Sequence, residues 1–221
     1  LPQSLSGVLA LSPDGRRLAY VASGGTTSQQ LYLRAMDALE AAPLAGTEGA
    51  YNPFFSPDGE WIGFAAGGTL MKISVGGGAA LTLCNLRGGG MWGAAWGPDN
   101  TIVVALTASS GLAKVSAAGG EPQSFTTLQQ GELSHRWPQF LPDGKTVLYT
   151  VGSMDSPDFY EDAAIEAVNV ETGARKVLMK GGCFARYIPS GFLVYWRSSA
   201  LFALPFDSDR QEVTGTSFPV A

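Results

Sequence analysis

The sequence predicts an all-β fold, a β-propeller of four-stranded antiparallel blades, from three observations. The 221 residues include 29 Gly and 13 Pro but only 15% charged residues, which is typical of many short strands joined by tight turns. A Pro-Asp-Gly phrase returns along the chain at a nearly constant interval. On both sides of each phrase apolar residues alternate with other residues, and this period of two is typical of strands.

The turn phrase occurs five times, as LSPDG, FSPDG, WGPDN, LPDG and a degenerate IPSG, with prolines at 13, 57, 98, 142 and 189. Successive prolines are 44, 41, 44 and 47 residues apart, an interval that is typical of propeller blades. In such a phrase Pro presets φ, Asp accepts local hydrogen bonds and Gly takes a positive φ. Each phrase is therefore predicted to join the innermost and second strands of a blade.

A large apolar residue stands two positions before each proline, and an alternating apolar pair follows each turn. We expect these side chains to fill the space between neighbouring blades, because one sheet cannot bury both of its faces alone. On this interpretation Leu18→Asp or Phe55→Ala costs about 3 to 5 kcal/mol of stability. The residues before the turns are Leu11, Phe55, Trp96, Phe140 and Tyr187.

A third run and a more polar fourth run complete each repeat, and four strands per repeat is the plan of a propeller blade. The sequence predicts a single domain over residues 1–221. Either five blades close face to face, or the chain is part of a larger ring whose end blades expose apolar faces. We favour the second reading, under which the end blades could support a homo-oligomer. The predicted blades cover approximately residues 5–46, 50–87, 91–130, 135–181 and 183–221.

Charge, hydropathy and cysteine spacing argue against several functional classes. The chain has 14 Lys+Arg against 19 Asp+Glu, a net charge of −5, and scattered basic residues do not favour nucleic-acid binding. No apolar run reaches the length of about 18 residues that membrane insertion needs, and the first residues lack the features of a secretory signal. Cys84 and Cys183 have no metal-ligand spacing, so we expect two buried free thiols and no cofactor.

Candidate binding residues stand five and six positions before the turn prolines. Aromatic and guanidinium groups around a concave mouth are the usual content of a binding hot spot. For Trp92 and Trp137, packing between blades is the competing role. The candidates at these positions are Tyr51, Asn52, Trp92, Arg136 and Trp137.

Two further candidates are the single histidine, His135, and Arg186, which stands three residues before Pro189. The imidazole either contacts a ligand or is hydrogen-bonded to the backbone of a neighbouring blade. The guanidinium either pairs with an acidic residue across a blade interface or takes an anionic ligand, because a buried charge needs a partner.

Catalytic and metal sites are not predicted. The chain has no Gly-x-Ser-x-Gly nucleophile motif to act with the histidine. Asp155, Asp158, Glu161 and Asp162 are carboxylates that could hold Ca²⁺, but their spacing does not match a calcium loop. A solvated loop is the favoured interpretation, and carboxylates adjacent in one loop rarely hold the separation that a glycosidase needs.

Several phrases, LSPDGRRLAYVA, FSPDGEWIGFAAGGTLMKISVGGG and SHRWPQFLPDGKTVLYT among them, resemble TolB-type, WD-repeat-like β-propeller repeats. Such repeats are found C-terminal to bacterial receptor-type serine/threonine kinases, and the resemblance covers essentially the whole chain. It implies an extracytoplasmic sensor or protein-binding platform, periplasmic or at the cell surface, tethered to a kinase by a transmembrane helix outside this chain. No kinase motif is present in the chain itself.

The predicted function is therefore non-catalytic binding of a protein or peptide by the sensor domain of a bacterial signalling kinase. Two alternatives stay open: a TolB-like periplasmic component of envelope integrity or transport, and the gating propeller of a prolyl-oligopeptidase-like enzyme. Direct catalysis, such as polysaccharide cleavage, is a third, for which we find no matched acid, base or nucleophile.

Overall fold

The computed structural model describes residues 9–23, 29–86, 90–157 and 160–220. These described residues form strands and turns and contain no α-helix. In chain order the strands are β1 (Leu9–Leu11), β2 (Arg17–Ala22), β3 (Gln30–Ala35), β4 (Ala42–Pro43), β5 (Tyr51–Phe55), β6 (Trp61–Ala66), β7 (Thr69–Ser74), β8 (Leu81–Asn85), β9 (Ala94–Trp96), β10 (Thr101–Ala105), β11 (Leu112–Ser116), β12 (Gln123–Ser124), β13 (Glu132–Phe140), β14 (Thr146–Ser153), β15 (Ala164–Asn169), β16 (Arg175–Lys180), β17 (Cys183–Ile188), β18 (Phe192–Arg197), β19 (Ala200–Asp207), β20 (Glu212–Val213) and β21 (Phe218–Pro219).

The strands form five antiparallel sheets, each built from consecutive strands in chain order, so the prediction of five four-stranded propeller blades is confirmed. The sheets are β1–β4, β5–β8, β9–β12, β13–β16 and β17–β20, and β21 also pairs with β19. The last sheet differs from the prediction, because its fourth run is split into β20 and β21. The break lies opposite Pro205, which has no N–H to donate to a neighbouring strand, and Phe206 and Ala203 on either side pair with β20 and β21.

The predicted turns join the first and second strands of the sheets. In the first sheet the Ser12 hydroxyl donates to Asp14 over 2.6 Å, and the Arg17 N–H donates to Ser12 Oγ over 2.8 Å. Gly15 takes a φ of 71°, a conformation that costs little only for glycine. The second sheet repeats this arrangement from Ser56 to Trp61.

The described residues group into two compact units. The amino-terminal unit contains residues 9–107 and 114–123, and the carboxyl-terminal unit contains residues 108–113 and 124–220. The single domain over residues 1–221 stays a prediction.

The core of the amino-terminal unit includes one cluster formed by the first and second sheets. Ala19 and Leu31 of the first sheet pack with Phe55, Ile62 and Phe64 of the second. The corresponding cluster of the carboxyl-terminal unit joins the fourth and fifth sheets and contains Leu141, Leu148, Ile165, Ala167, Ala185, Leu193, Tyr195, Leu204 and Phe206.

One packing expectation is wrong. Phe55 and Trp96 are buried as predicted, but Leu11 is 53% exposed and Leu9 is 58% exposed. Leu18 on the same face is only partly buried. Leu18→Asp is therefore expected to cost less than the predicted 3 to 5 kcal/mol, whereas Phe55→Ala keeps about that cost.

Candidate functional site

A β-bulge interrupts the first strand of the second, fourth and fifth sheets at the same place in the repeat. In each bulge two residues of the first strand oppose one residue of the second strand before the ladder resumes toward the turn. A bulge bends its strand and re-aims the neighbouring side chains. The register shifts lie between Tyr51 and Phe54, between Arg136 and Gln139, and between Cys183 and Arg186.

The residue five positions before each of these turn prolines has a positive φ. The values are 51° at Asn52, 53° at Trp137 and 54° at Phe184, and the third sheet has Gly93 at 108°. Non-glycine residues in this region are strained by about 1 to 3 kcal/mol each, and such strain concentrates at functional sites. Two of these three residues, Asn52 and Trp137, are sequence candidates for binding.

In the carboxyl-terminal unit the bulges bring together five side chains that we call the aromatic–guanidinium cluster: Arg136, Trp137, Tyr160, Phe184 and Arg186. The Trp137 ring centroid is 5.0 Å from that of Tyr160 and 5.5 Å from that of Phe184. The guanidinium carbon of Arg136 is 5.5 Å from the Tyr160 centroid, and that of Arg186 is 4.3 Å from the Phe184 centroid. These are favourable cation–π separations.

Arg186 is held by main-chain carbonyls rather than by a carboxylate. It donates to the oxygens of Trp137 over 2.9 Å and of Ala185 over 3.2 Å. Burial lowers the pKa of Arg186 to about 10, so the side chain is charged at neutral pH although it is poorly solvated. No described Asp or Glu forms an ion pair with it. Of its two predicted roles, the acidic partner is not found among the described residues, and the anionic ligand stays a prediction.

Arg136 and Trp137 are both buried. Arg136 donates to the carbonyl of Ala108 over 2.8 Å. Burial lowers the pKa of Arg136, and a hydrogen bond with Tyr160 opposes this change. The Trp137 ring packs against Tyr160 and Phe184, in line with the packing alternative, and a binding role for Trp137 stays a prediction.

A pocket of about 310 Å³ lies beside the cluster, and Tyr160 belongs to both. Glu161 and Arg197 supply opposite charges to its wall. Ser198 and Ser199, with φ of 49° and 64°, form the tight turn between β18 and β19. An aromatic wall with donors, acceptors and both charges is suited to a peptide, which offers the same mixture. The lining residues are Tyr160, Glu161, Gly181, Cys183, Trp196, Arg197, Ser198 and Ser199.

His135 is fully buried, and both of its ring nitrogens have partners inside the protein. Nε2 lies 3.0 Å from Glu132, and Nδ1 lies 2.6 Å from the hydroxyl of Thr126. Burial lowers the pKa of His135, and the hydrogen bond to Glu132 opposes this only in part. A neutral ring that donates from Nε2 and accepts at Nδ1 satisfies both contacts. In this arrangement His135 has no ring nitrogen left for a ligand.

The same network continues through Arg175. Its guanidinium binds Glu132 and also Glu166 over 2.9 Å, and Glu166 accepts a 2.7 Å hydrogen bond from Tyr149. Burial alone would raise the pKa of Glu132, but hydrogen bonds from Arg175, the Gln129 N–H and His135 hold it below its usual value. Burial and the bond to Glu166 raise the pKa of Tyr149. The network is internally satisfied, so its groups are engaged in structure rather than poised for proton transfer.

In the amino-terminal unit the candidates are Tyr51, Asn52 and Trp92. The side-chain amide of Asn52 donates to the carbonyl of Met91, and the Trp92 N–H donates to Ala105 over 2.9 Å. Burial raises the pKa of the Tyr51 hydroxyl. Here the side chain at the bulge ties the second sheet to the segment before the third, which is a structural contact. A binding role for the three residues stays a prediction.

The acidic loop gives no metal-binding group in the described residues, where no set of three His, Cys, Asp or Glu side chains is arranged to hold an ion. Asp155 and Asp162 are exposed, and Glu161 lines the pocket described above. Asp158 lies outside the described residues. Cys84 and Cys183 are buried free thiols, as expected, and burial raises the pKa of Cys183 to about 11.

A second pocket, of about 340 Å³, lies in the amino-terminal unit and was not foreseen from the sequence. The Lys72 ammonium lies 4.6 Å from the Trp61 centroid and 5.8 Å from the Trp96 centroid, and it donates to the Ala117 carbonyl over 2.7 Å. The sequence signal that could have revealed this pocket is Lys72, which lies between apolar residues in the third strand of the second sheet.

Within the part of the chain that the structure describes, no helix has the length and apolar character needed to cross a membrane. No protein-family model matches the chain. Among curated proteins the chain is similar to a Bacillus subtilis (strain 168) protein described as uncharacterized peptidase YuxL, with 27% identity over 154 residues. The match covers 66% of this chain and 22% of that protein, so the chain spans about a fifth of the relative's length.

Among solved structures the chain is similar to TolB from Acinetobacter baumannii, with a TM-score of 0.71, 18% identity, and coverage of 90% of this chain and 51% of that one. It is also similar to a putative TolB from Agrobacterium tumefaciens, with a TM-score of 0.69, 16% identity, and coverage of 97% and 79%. Identities this low establish the fold alone. The chain therefore has a TolB-like β-propeller fold.

Proposed function

We propose that this chain is a non-catalytic recognition domain that binds a peptide segment of a protein partner. The proposed site is the 310 Å³ pocket together with Phe184 and Arg186, the partly buried members of the aromatic–guanidinium cluster. The observation that carries the proposal is the repeated bulge, which holds aromatic and guanidinium groups of two consecutive blades side by side next to that pocket.

The residue chemistry of the site supports recognition rather than turnover. Rigid aromatic and Arg side chains provide binding energy with little loss of conformational freedom. The titratable groups that could have served as acid and base, His135, Glu132 and Glu166, are hydrogen-bonded to one another or to Arg175. Catalysis would need at least one of them free to reach a substrate.

We further propose that the domain acts outside the cytoplasmic membrane, as the sensor of a bacterial signalling kinase. The support is the resemblance of the repeats to those that follow receptor-type kinases. A TolB-like component of the cell envelope is the related alternative. The complete reading frame separates the two, because a kinase domain upstream supports the sensor and a signal peptide supports the envelope component.

A second candidate function, a propeller that gates access to a peptidase, is favoured by the similarity to the protein described as a peptidase. The match spans only 22% of that protein, and the peptidase description applies to that protein as a whole. A hydrolase domain encoded next to this segment supports the gating role. The purified chain alone is expected to leave fluorogenic peptide substrates intact under either proposal.

Peptide selection tests the recognition function. A phage-displayed library of random dodecapeptides is panned against the purified chain, and an enriched peptide is titrated by fluorescence polarisation. Trp196→Ala and Arg197→Ala, which remove two walls of the pocket, are each expected to weaken binding about tenfold or more.

The matched control is Arg210→Ala, an exposed arginine of the same unit that lies outside the pocket. It is expected to leave the affinity unchanged. Failure to enrich any peptide, or an affinity that neither pocket variant changes, contradicts the proposal.

A further inference from the structure

The second pocket, of about 340 Å³, is built entirely by residues of the amino-terminal unit. One wall comes from the Pro-Asp-Gly turn of the second sheet and from Trp61 at the start of β6. The facing wall comes from Trp96 at the end of β9 and from the turn that follows it. The pocket shares no lining residue with the proposed peptide site.

A lysine of this pocket occupies a position that is apolar in other sheets. The strand registers equate Lys72 of the second sheet with Leu33, Ala167 and Ala203 of the first, fourth and fifth sheets. The Lys72 ammonium donates to the Ala117 carbonyl, and no Asp or Glu among the described residues forms an ion pair with it. An ammonium has three N–H donors, so Lys72 keeps donors for a ligand oxygen.

The turn of the third sheet adds an amide to the pocket. Asn100 stands where three other turns have Gly15, Gly59 and Gly144, and it takes the same positive φ, at 65°. Its side-chain oxygen accepts a 3.2 Å hydrogen bond from the indole N–H of Trp96, which holds that ring in the wall. The amide nitrogen of Asn100 presents two N–H donors, and no described residue supplies an acceptor for them.

The turn of the second sheet supplies an acceptor. One carboxylate oxygen of Asp58 accepts from the Ser56 hydroxyl and, over 3.0 Å, from the Glu60 N–H. These two bonds hold the pKa of Asp58 below its usual value, so the group is ionised at neutral pH. Asp58 is exposed, and its second oxygen has no donor among the described residues. The pocket therefore offers both donors and an acceptor to a ligand.

The combination of charges, amide and indoles restricts the chemistry of a ligand. An anion would be repelled by Asp58, and a cation would be repelled by Lys72. A purely apolar ligand would cover these polar groups without giving them partners, which costs free energy. A hydroxyl group both donates and accepts, so a neutral ring with several hydroxyls can satisfy all of them. A pyranose sugar has this chemistry, and its C–H face can pack on an indole.

We propose that this pocket binds a neutral saccharide through one pyranose ring. The C–H face of the ring packs on Trp61, which is partly exposed. One hydroxyl donates to Asp58, and others accept from Lys72 and Asn100. The volume of about 340 Å³ has room for one such ring. The chain would thus bind a second class of ligand at a site separate from the peptide pocket.

A glycan array tests the proposal. The purified, fluorescently labelled chain is applied to an array of neutral mono- to tetrasaccharides, and the saccharide with the strongest signal is titrated by isothermal calorimetry. Asn100→Gly is the sharpest variant, because it restores the glycine of other turns at a positive φ and removes only the side-chain amide. Asn100→Gly, Lys72→Met and Trp61→Ala are each expected to weaken binding about tenfold or more.

Asp58→Asn removes the charge but keeps an oxygen for the hydrogen bonds of the turn, and it is expected to weaken binding about tenfold. Asp14→Asn is the matched control, because Asp14 makes the same bonds in the turn of the first sheet, outside the pocket. It is expected to leave the affinity unchanged. Circular dichroism verifies that each variant is folded.

Three results would overturn the proposal. The first is an array on which no saccharide gives a signal. The second is an affinity that the pocket variants do not change, or that Asp14→Asn lowers as much as Asp58→Asn does. The third concerns free phenylalanine, a zwitterion that could pair with both charges of the pocket and is titrated in parallel. Binding of phenylalanine in place of any saccharide would assign the pocket to amino acids instead.

Discussion

At the scale of single residues, the bulge positions and the buried polar network explain most of the site. Trp137 and Phe184 adopt a positive φ without being glycine, and their rings pack together at 5.5 Å. The packing offsets the local strain, which is how a strained conformation persists. The side chains held this way form the wall beside which a ligand is proposed to bind.

A substitution at Gly63 tests how closely the first and second strands of the second sheet pack, because Gly63 lies opposite Phe54. A Cβ added at Gly63 would lie 2.2 Å from Cζ of Phe54, so the ring would have to move. Gly63→Ala is expected to destabilise the chain by about 1 to 3 kcal/mol in urea unfolding. Gly76→Ala is the control, because its Cβ would meet only Ser74 Oγ, at 3.6 Å. Equal stability of the two variants would show that the Phe54 contact is not tight.

The burial of His135 predicts that the stability of the chain depends on pH. Burial lowers the pKa of His135 from its usual value of 6.5, so the unfolded chain binds this proton more tightly than the folded chain. The contribution of the neutral ring is therefore fully present above about pH 6.5 and is lost as the pH falls from that value through the lower pKa of the folded chain. The lowered pKa of Glu132 acts in the same direction at lower pH.

The measurement is the free energy of unfolding at pH 7.5 and pH 5.5. The wild-type chain is expected to be less stable at pH 5.5, and His135→Gln is expected to lose less stability between the two pH values. The chain has a single histidine, so no other imidazole contributes. A His135→Gln variant with an undiminished pH dependence would assign the effect to other groups.

At the scale of elements, Arg175 connects strands that are far apart in the sequence. It extends from β16 to Glu132 at the start of β13 and to Glu166 in β15, and its side chain is 15% exposed. Removing one partner of such a pair leaves the other charges without compensation in a poorly solvated place. The network therefore fixes how the four strands of the fourth sheet are arranged.

Arg175→Met is expected to cost about 3 kcal/mol of stability, since it keeps the apolar stem but removes the guanidinium from both glutamates. Lys176→Met is the matched control on the next residue, whose ion pair with Glu212 is 3.8 Å long and solvent-exposed. It is expected to change stability by less than about 1 kcal/mol. Comparable losses in thermal or urea unfolding would contradict a structural role for the network.

At the scale of the whole chain, the features that depend on local sequence were predictable. The turns from Ser12 and Ser56 require only nearby Asp and Gly residues, and alternation predicted the strands on either side. Five four-stranded blades follow from the repeat of these local signals. The repeat period was sufficient to predict the fold, even though the IPSG turn of the last sheet lacks the Asp.

The candidate site was predictable only in part, because it depends on contacts between distant segments. Arg136, Trp137 and Arg186 were identified from their positions before the turns. Phe184 was not singled out, although it occupies the same bulge position, because a positive φ at phenylalanine has no local sequence signal. Tyr160 reaches the cluster from the loop between β14 and β15.

Peptide binding in the pocket beside the aromatic–guanidinium cluster can be observed through the tryptophan indole N–H signals. The chain has five tryptophans, of which Trp196 lines this pocket, Trp137 lies in the cluster, and Trp61 and Trp96 line the second pocket. Each signal is assigned by a Trp→Phe variant, and a selected peptide is titrated into ¹⁵N-labelled chain. We expect shifts of the Trp196 and Trp137 signals, with those of Trp61 and Trp96 unchanged. Shifts confined to Trp61 and Trp96, or no shift at Trp196, would contradict it.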